Sequence, residues 1–300
     1  MDLKQIEYFV RVAELGSFTR ASVTLDIAQS ALSRHVRLLE TELRQNLLIR
    51  NGRGVTPTEA GKILLEHGRG VLHQIDRLRE ELARERGGLV GKVALGLPPS
   101  LSKVLTVPLT RAFRSALPDA VMSISEGLSL TMLEALVNGR LDLALLYDAP
   151  PSPDIDLKPV ITQALYLVQS RRHEHIVGPI PLVDLSTLPL VIPSRPNVIR
   201  MLVETELANI GVHPLIACEV DAISAILELV AEGIGSGVLP TSAIHAFGNA
   251  DNFNLRPIVN PRLLTRLSSA VSTHRPATQV QRNLLKLVED MVRELINPAD

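Results

Sequence analysis

The sequence predicts a multidomain α/β protein, and three features carry that expectation. The first 58 residues hold short helical periodicities followed by a glycine-marked hairpin pattern. Residues 59–87 then carry one narrow apolar seam on an otherwise charged stretch. From residue 91 onward, short apolar runs alternate with amphipathic ones, the texture of strands and helices layered on a sheet. At 300 residues the chain exceeds one typical core.

Leu3, Ile6, Phe9, Val10 and Ala13 make the inner face of a first helix ending near Gly16. Ser17 is an N-cap for a second, which carries Phe18, Ala21 and Leu25. Asp26-Ile27-Ala28 interrupts the pattern before a third helix begins near Gln29. There Leu32, Val36, Leu39 and Leu43 form a single stripe, while Ser30, Ser33, Arg34 and Arg37 project oppositely. Such a face suits a DNA major groove, where Arg reaches guanine edges or phosphates and Ser donates or accepts. Any amphipathic surface helix has a polar face too, so spacing alone leaves both readings open. Residues 46–56 read as a hairpin with its turn at Asn51-Gly52. Arg50 and Arg53 fall there, either meeting phosphate or the minor groove or forming a solvated tip.

Thr56-Pro57-Thr58-Glu59 reads as a helix start, with Thr56 capping, Pro57 at the first position and Glu59 completing a capping box. The helix runs to about Arg86, roughly 40–45 Å at about 1.5 Å per residue. Leu64, Gly68, Val71, Ile75, Leu78 and Leu82 alternate by four and three, a coiled-coil seam that a second copy would cover. Packing on its own domain is the competing explanation. Gly68 and Gly70 permit close helix approach or a bend, and Gly87-Gly88 with Gly91 forms a hinge.

Beyond the hinge, strands are expected at KVALGL, AVMSISE and LDLALLYD, then at PLVIPS, LIACEV, SGVLP and RLSSAVSTH. Helices fall between them, and a long amphipathic helix from Gln279 returns to the first lobe. Two lobes result, about 91–162 with 265–300 and about 163–264, built on parallel sheets. Ligands collect outside the carboxyl ends of such strands, where helix N-termini favour anions. The candidates there are Ser100, Ser102, Ser129, Thr131, Tyr147, Ser194, Arg195 and Asn197, which suit a small carboxylate. As N-caps, Ser100, Ser129 and Ser194 are equally well explained one at a time.

The segments MDLKQIEYFVRVAELGSFTRAS and AQSALSRHVRLLE resemble, residue by residue, the helix-turn-helix of LysR-type transcriptional regulators. The resemblance extends over essentially the whole chain and is strongest in the first 65 or so residues. It implies a winged helix-turn-helix over 1–58 that reads double-stranded DNA through Gln29, Ser30, Ser33, Arg34, Arg37, Arg50 and Arg53. It implies a dimerising linker helix over 59–87, with Leu64, Val71, Ile75, Leu78 and Leu82 in its seam. Residues 88–300 would form a two-lobed effector domain resembling periplasmic binding proteins. Dimers or tetramers acting on an interrupted inverted repeat, with RNA polymerase as a further partner, are what such a regulator implies. GLPPSLSKVLTVPL looks closest to the nitrogen-assimilation-control branch, which need not use a small-molecule ligand. Two departures stand out. Arg44 replaces a usual Gly, straining the helix end if that position needs positive φ, and Leu48 or Ile49 replaces a usual Phe.

Composition narrows the alternatives. Hydrophobic residues make up 46% and charged residues 21%, a soluble globular profile. Net charge is −1, so any basic footprint is local; Arg34, Arg37, Arg44, Arg50 and Arg53 face only Glu40 and Glu42 between residues 28 and 56. Cys218 is the lone cysteine, which excludes a disulfide framework or a multi-cysteine metal site. The acidic, amphipathic start is no signal peptide, and no run of about 18 apolar residues exists. A cytoplasmic chain without cofactor or metal is expected. Gly127-Leu128-Ser129-Leu130-Thr131 lacks the final glycine of a nucleophile elbow. The glycines at 233, 235 and 237 lack dinucleotide spacing, and His173-Glu174-His175 lacks further metal ligands. Catalysis is therefore not expected. The competing class is a small-molecule binding protein with no role in transcription.

Overall fold

The computed structural model describes residues 1–51, 54–84, 91–172, 178–247 and 250–296. It divides into two compact units, residues 1–87 with 138–140, and residues 88–137 with 141–300.

The first unit opens with α1 (Leu3–Leu15), started by a capping box between Asp2 and Gln5. Gly16 ends it in the left-handed region at φ 61°, and Ser17 caps α2 (Phe18–Thr24) through the Arg20 N–H. After a short turn, α3 (Gln29–Leu43) buries Leu32, Val36 and Leu39. Strands β1 (Leu48–Asn51) and β2 (Gly54–Pro57) pair antiparallel as a hairpin, and α4 (Glu59–Arg84) follows. The core gathers Ile6, Phe9, Val10, Phe18, Leu32, Val36 and Leu39 from the three helices, together with Leu47 just before β1. Leu47 takes the buried place beside the hairpin, which leaves Ile49 facing solvent.

Three local expectations shift. The register pairs Asn51 with Gly54, so the connection is residues 52–53 rather than Asn51-Gly52. Pro57 lies in β2, and the cap of α4 is Thr58, whose hydroxyl accepts the Gly61 N–H at 3.0 Å and donates to the Asn46 carbonyl at 2.7 Å. In sequence the capping-box pattern fits Thr56, with Glu59 three residues on, and not Thr58, which has Gly61 there. The hairpin's pairing decides against it, because Thr56 is held opposite Ile49. Finally, Leu64 packs on the core of this unit along with Ala60, Leu65 and Leu72. A Cβ on Gly68 would sit 3.1 Å from both Ile6 and Val10, which marks where α4 and α1 approach closely.

The second unit begins with β3 (Gly91–Leu97), α5 (Pro99–Ala116), β4 (Ala120–Glu126), α6 (Ser129–Val137) and β5 (Leu143–Tyr147). A long strand, β6 (Ile155–Ser170), leads onward to β7 (Ile180–Pro181), a 3-10 turn at Leu182–Thr187 and β8 (Pro189–Ile192). Then come α7 (Val198–Asn209), β9 (Leu215–Glu219), α8 (Ile223–Ala231), β10 (Gly237–Pro240) and α9 (Thr241–Phe247). Strands β11 (Phe253–Val259) and β12 (Leu264–Ser272) precede the final helix, α10 (Gln279–Leu295).

The large sheet is mixed rather than parallel, while β8 and β9 form a separate parallel pair. β4, β3 and β5 run parallel, but β12 lies antiparallel to both β5 and β6. β6 then continues antiparallel to β10 and β11, so one strand serves both lobes. The sequence pattern missed β6, β7, β11 and α9. Along β6 the burial alternates in its second half only, so no single period marks it. Helix α10 seats Val280, Leu284, Val288 and Val292 in the first lobe's core, four fully buried positions each contributing about 1.5–3 kcal/mol relative to exposure. No helix among the described residues is long and apolar enough to cross a membrane.

Candidate functional site

In the first unit the polar face of α3 is open. Gln29, Ser30, Arg34 and Arg37 are exposed, and Ser33 is half-buried. Ala28 occupies the N-cap position without a side-chain cap, which leaves first-turn N–H groups free for an anion such as phosphate. Among the described residues, neither the Arg34 nor the Arg37 guanidinium has an acidic partner. Arg50, on β1, differs: its guanidinium lies over the Phe18 ring, 4.4 Å from the centroid, and Nη2 donates to Ser33 Oγ at 3.0 Å. Arg53 and the Gly87-Gly88 hinge lie outside the described residues.

The anticipated strain at Arg44 is present: it ends α3 at φ 53°, ψ 35°, with its N–H on the carbonyls of Glu40 and Thr41. The Glu40 carboxylate also accepts the N–H groups of Leu47 and Leu48, at 2.9 and 3.2 Å, which fastens the start of the hairpin to α3.

On α4 the proposed seam divides. Leu64 faces the core, Ile75 is half-buried, and Val71 and Leu78 are 42% and 52% exposed. Ile63, which the seam omitted, is 62% exposed and adds an open apolar side chain about two turns before Val71. The Leu82 side chain is not among those described.

The second unit holds a narrow cleft between its lobes, about 70 Å³ in volume. From one side come Pro98, Pro99, Ser100, Leu128, Ser129 and Tyr147; from the other, Pro193, Pro196, Asn197, Asp221, Ile223 and Pro240. The starts of α5, α6, α7 and α8 all meet there. Asn197 accepts two N–H groups of α7, whereas α5 and α8 begin without a side-chain cap.

A buried polar chain underlies the cleft. The Tyr147 hydroxyl donates to Gln163 Oε1 at 3.1 Å, and Gln163 Nε2 donates to Ser242 Oγ at 2.9 Å. Ser129 Oγ accepts the Tyr147 N–H at 3.0 Å. Burial pushes the Tyr147 phenol up to about 12, against a smaller opposing hydrogen bond from Ser100.

Of the eight sequence candidates, the structure brings together Ser100, Ser129, Tyr147 and Asn197. The other four face elsewhere. Ser102 lies beside Thr106 at 3.4 Å, and Thr131 is exposed on α6. Ser194 donates its N–H and hydroxyl to Asp221 at 2.9 and 2.6 Å, holding that carboxyl below its ordinary range. Arg195 turns to Glu204 at 2.8 Å, outside the cleft. The charged side chain that does line the cleft is Asp221, so the arginine expected to receive a carboxylate is not there. Gln163, Asp221 and Ser242 were missed. Gln163 lies on the unrecognised β6, and the other two carry no local motif. His173-Glu174-His175 lies outside the described residues, among which no group of three or more His, Cys, Asp or Glu could hold a metal.

Two family patterns match the chain: a bacterial regulatory helix-turn-helix of the lysR family over residues 3–62, and the LysR substrate binding domain over residues 86–293. The chain belongs to the LysR family. Among curated relatives, the nitrogen assimilation regulatory protein nac of Klebsiella aerogenes is 33% identical over 289 residues, 95% of this chain and 94% of that one. The transcriptional dual regulator GltC of Bacillus subtilis is 32% identical over 244 residues, 81% of each chain. The LysR family regulator CbnR has a TM-score of 0.70 at 25% identity, over 97% of this chain and 99% of that one. CbnR has also been solved with its target DNA, with a TM-score of 0.69. As a LysR-type protein the chain is a DNA-binding transcriptional regulator with an effector-binding domain. A binding protein without a regulatory role does not account for the match over residues 3–62.

Proposed function

We propose that α3 enters the DNA major groove with Gln29, Ser30, Arg34 and Arg37 at the bases and phosphates, and that Arg53 of the wing reaches the flanking backbone. The open polar face, with two arginines that have no acidic partner among the described residues, carries this reading. Residues 1–58 act as the reading head and 59–87 as the pairing helix, with Val71, Ile75 and Leu78, joined by Ile63, against a second copy. Paired heads meet an inverted repeat, and two such dimers make a tetramer. The protein works in the cytoplasm, binds rather than transforms its ligand, and meets RNA polymerase at the promoter.

Residues 88–300 bind a small effector in the cleft. If that molecule is an anion, its charge rests on the Ser100 N–H of α5 and the uncapped first-turn N–H groups of α8 rather than on Arg195. The effector shifts the regulator by binding one lobe arrangement more tightly than the other. Footprinting on a duplex selected from a random library tests the core of this. Two protected patches about one or more helical turns apart are expected, and a single patch of one half-site contradicts paired heads.

A further inference from the structure

Arg50 was read with Arg53 as a phosphate contact. Its surroundings point to a different task. The guanidinium stacks on Phe18 of α2, 4.4 Å from the ring centroid, and donates to Ser33 of α3 at 3.0 Å, while its own backbone belongs to β1. One side chain thus joins three elements of the head. Phe18 is fixed, being buried at the first position of α2, and the Ser17 cap sets that helix's start.

The Ser33 hydroxyl has one hydrogen and two lone pairs. A guanidinium can only donate, so Arg50 occupies one lone pair and cannot receive the hydrogen. With that lone pair taken, the Ser33 hydroxyl keeps its hydrogen and one lone pair in place of two, so Arg50 biases it toward donating to whatever faces α3. The hydrogen meets an acceptor there, and base edges differ in this respect: guanine N7 and O6, adenine N7 and thymine O4 accept, whereas cytosine N4 donates. We infer that Arg50 is a specificity-determining positioning residue, which holds Ser33 as a hydrogen donor to an acceptor base edge instead of anchoring a phosphate itself. The inference rests on the reading that α3 enters the major groove.

The test selects binding sites from a random duplex library with the full-length wild type, Ser33→Ala, Arg50→Lys, Arg50→Met and the Ser33→Ala/Arg50→Met double variant. The affinity of each for the wild-type site is then followed against salt. Ser33→Ala and Arg50→Met should lose preference at the same base positions. The double variant should do no worse than either single one. Arg50→Lys, which keeps a cation over Phe18 and a donor, should retain more of the preference than Arg50→Met. The slope of log affinity against log salt should be the same for Arg50→Met as for wild type. A slope shallower by about 0.9 with base preferences intact would make Arg50 a phosphate anchor and overturn the inference. Should Arg50→Met fail to fold, Ser33→Ala still decides: unchanged preference at every position overturns it. A wild type that selects no sequence at all would instead refute the major-groove reading beneath it.

Discussion

The Tyr147 hydroxyl hydrogen-bonds Gln163 at 3.1 Å, which ties the end of a first-lobe strand to the strand shared by both lobes. That bond keeps a buried phenol satisfied while burial opposes its ionisation. The folded phenol, at about 12, exceeds its ordinary value of 10.0. The unfolded chain therefore loses this proton first as pH rises. The stability it contributes is fully present below about pH 10 and is lost as pH climbs toward 12, a decline of about 2–3 kcal/mol. Chemical unfolding between pH 9 and 12 should show a steeper fall for the wild type than for Tyr147→Phe. Parallel profiles would mean that Tyr147 ionises as readily folded as unfolded.

Arg44 holds a left-handed conformation that favours glycine. Arg44→Gly should stabilise the head by about 1 kcal/mol, since relief of the αL strain exceeds the added freedom of the unfolded chain. Thermal unfolding checks this, and a lowered midpoint would show that the arginine side chain contributes more than the strain costs.

Gly61 leaves no room for a side chain: an added Cβ would meet the Leu47 carbonyl oxygen at 2.0 Å. That carbonyl also accepts the Thr58 N–H at 3.0 Å, so it cannot withdraw without loosening the start of α4. Gly61→Ala should cost about 1–3 kcal/mol by overpacking, read as a lower denaturant midpoint. An unchanged midpoint would show that the hairpin and α4 can part freely.

Leu78 is 52% exposed on α4, so a charge there costs the folded monomer little. Leu78→Asp should shift the protein toward monomer in sedimentation at micromolar concentration, with its secondary structure retained. A dimer as tight as wild type would place the pairing surface elsewhere.

Much of this was legible because local chemistry set it. The stripe of α3, the Ser17 cap and the strands KVALGL and AVMSISE depend on neighbours in sequence, and they stand where the pattern placed them. Pro57 and Thr56 were misplaced because hairpin pairing outranked a capping signal. The cleft was half legible. Ser100 and Ser129 follow strand ends and could be located by topology, but whether Arg195 pointed inward depended on Glu204, nine residues on. Gln163 and Asp221 were invisible for a related reason: their neighbours come from distant segments, those of Gln163 gathered by a strand with no clear period and that of Asp221 by the pairing of β8 with β9.

The central claim is that the polar face of α3 reads duplex sequence. Competition binding of the full-length protein in about 150 mM salt, between its library-selected duplex and a random duplex of equal length, tests it most directly. The account predicts a preference of about 1,000-fold or more for the selected site, most of it lost in Arg34→Ala while dimerisation persists. Equal affinity for both duplexes, or an Arg34→Ala protein that discriminates as well as wild type, would contradict it.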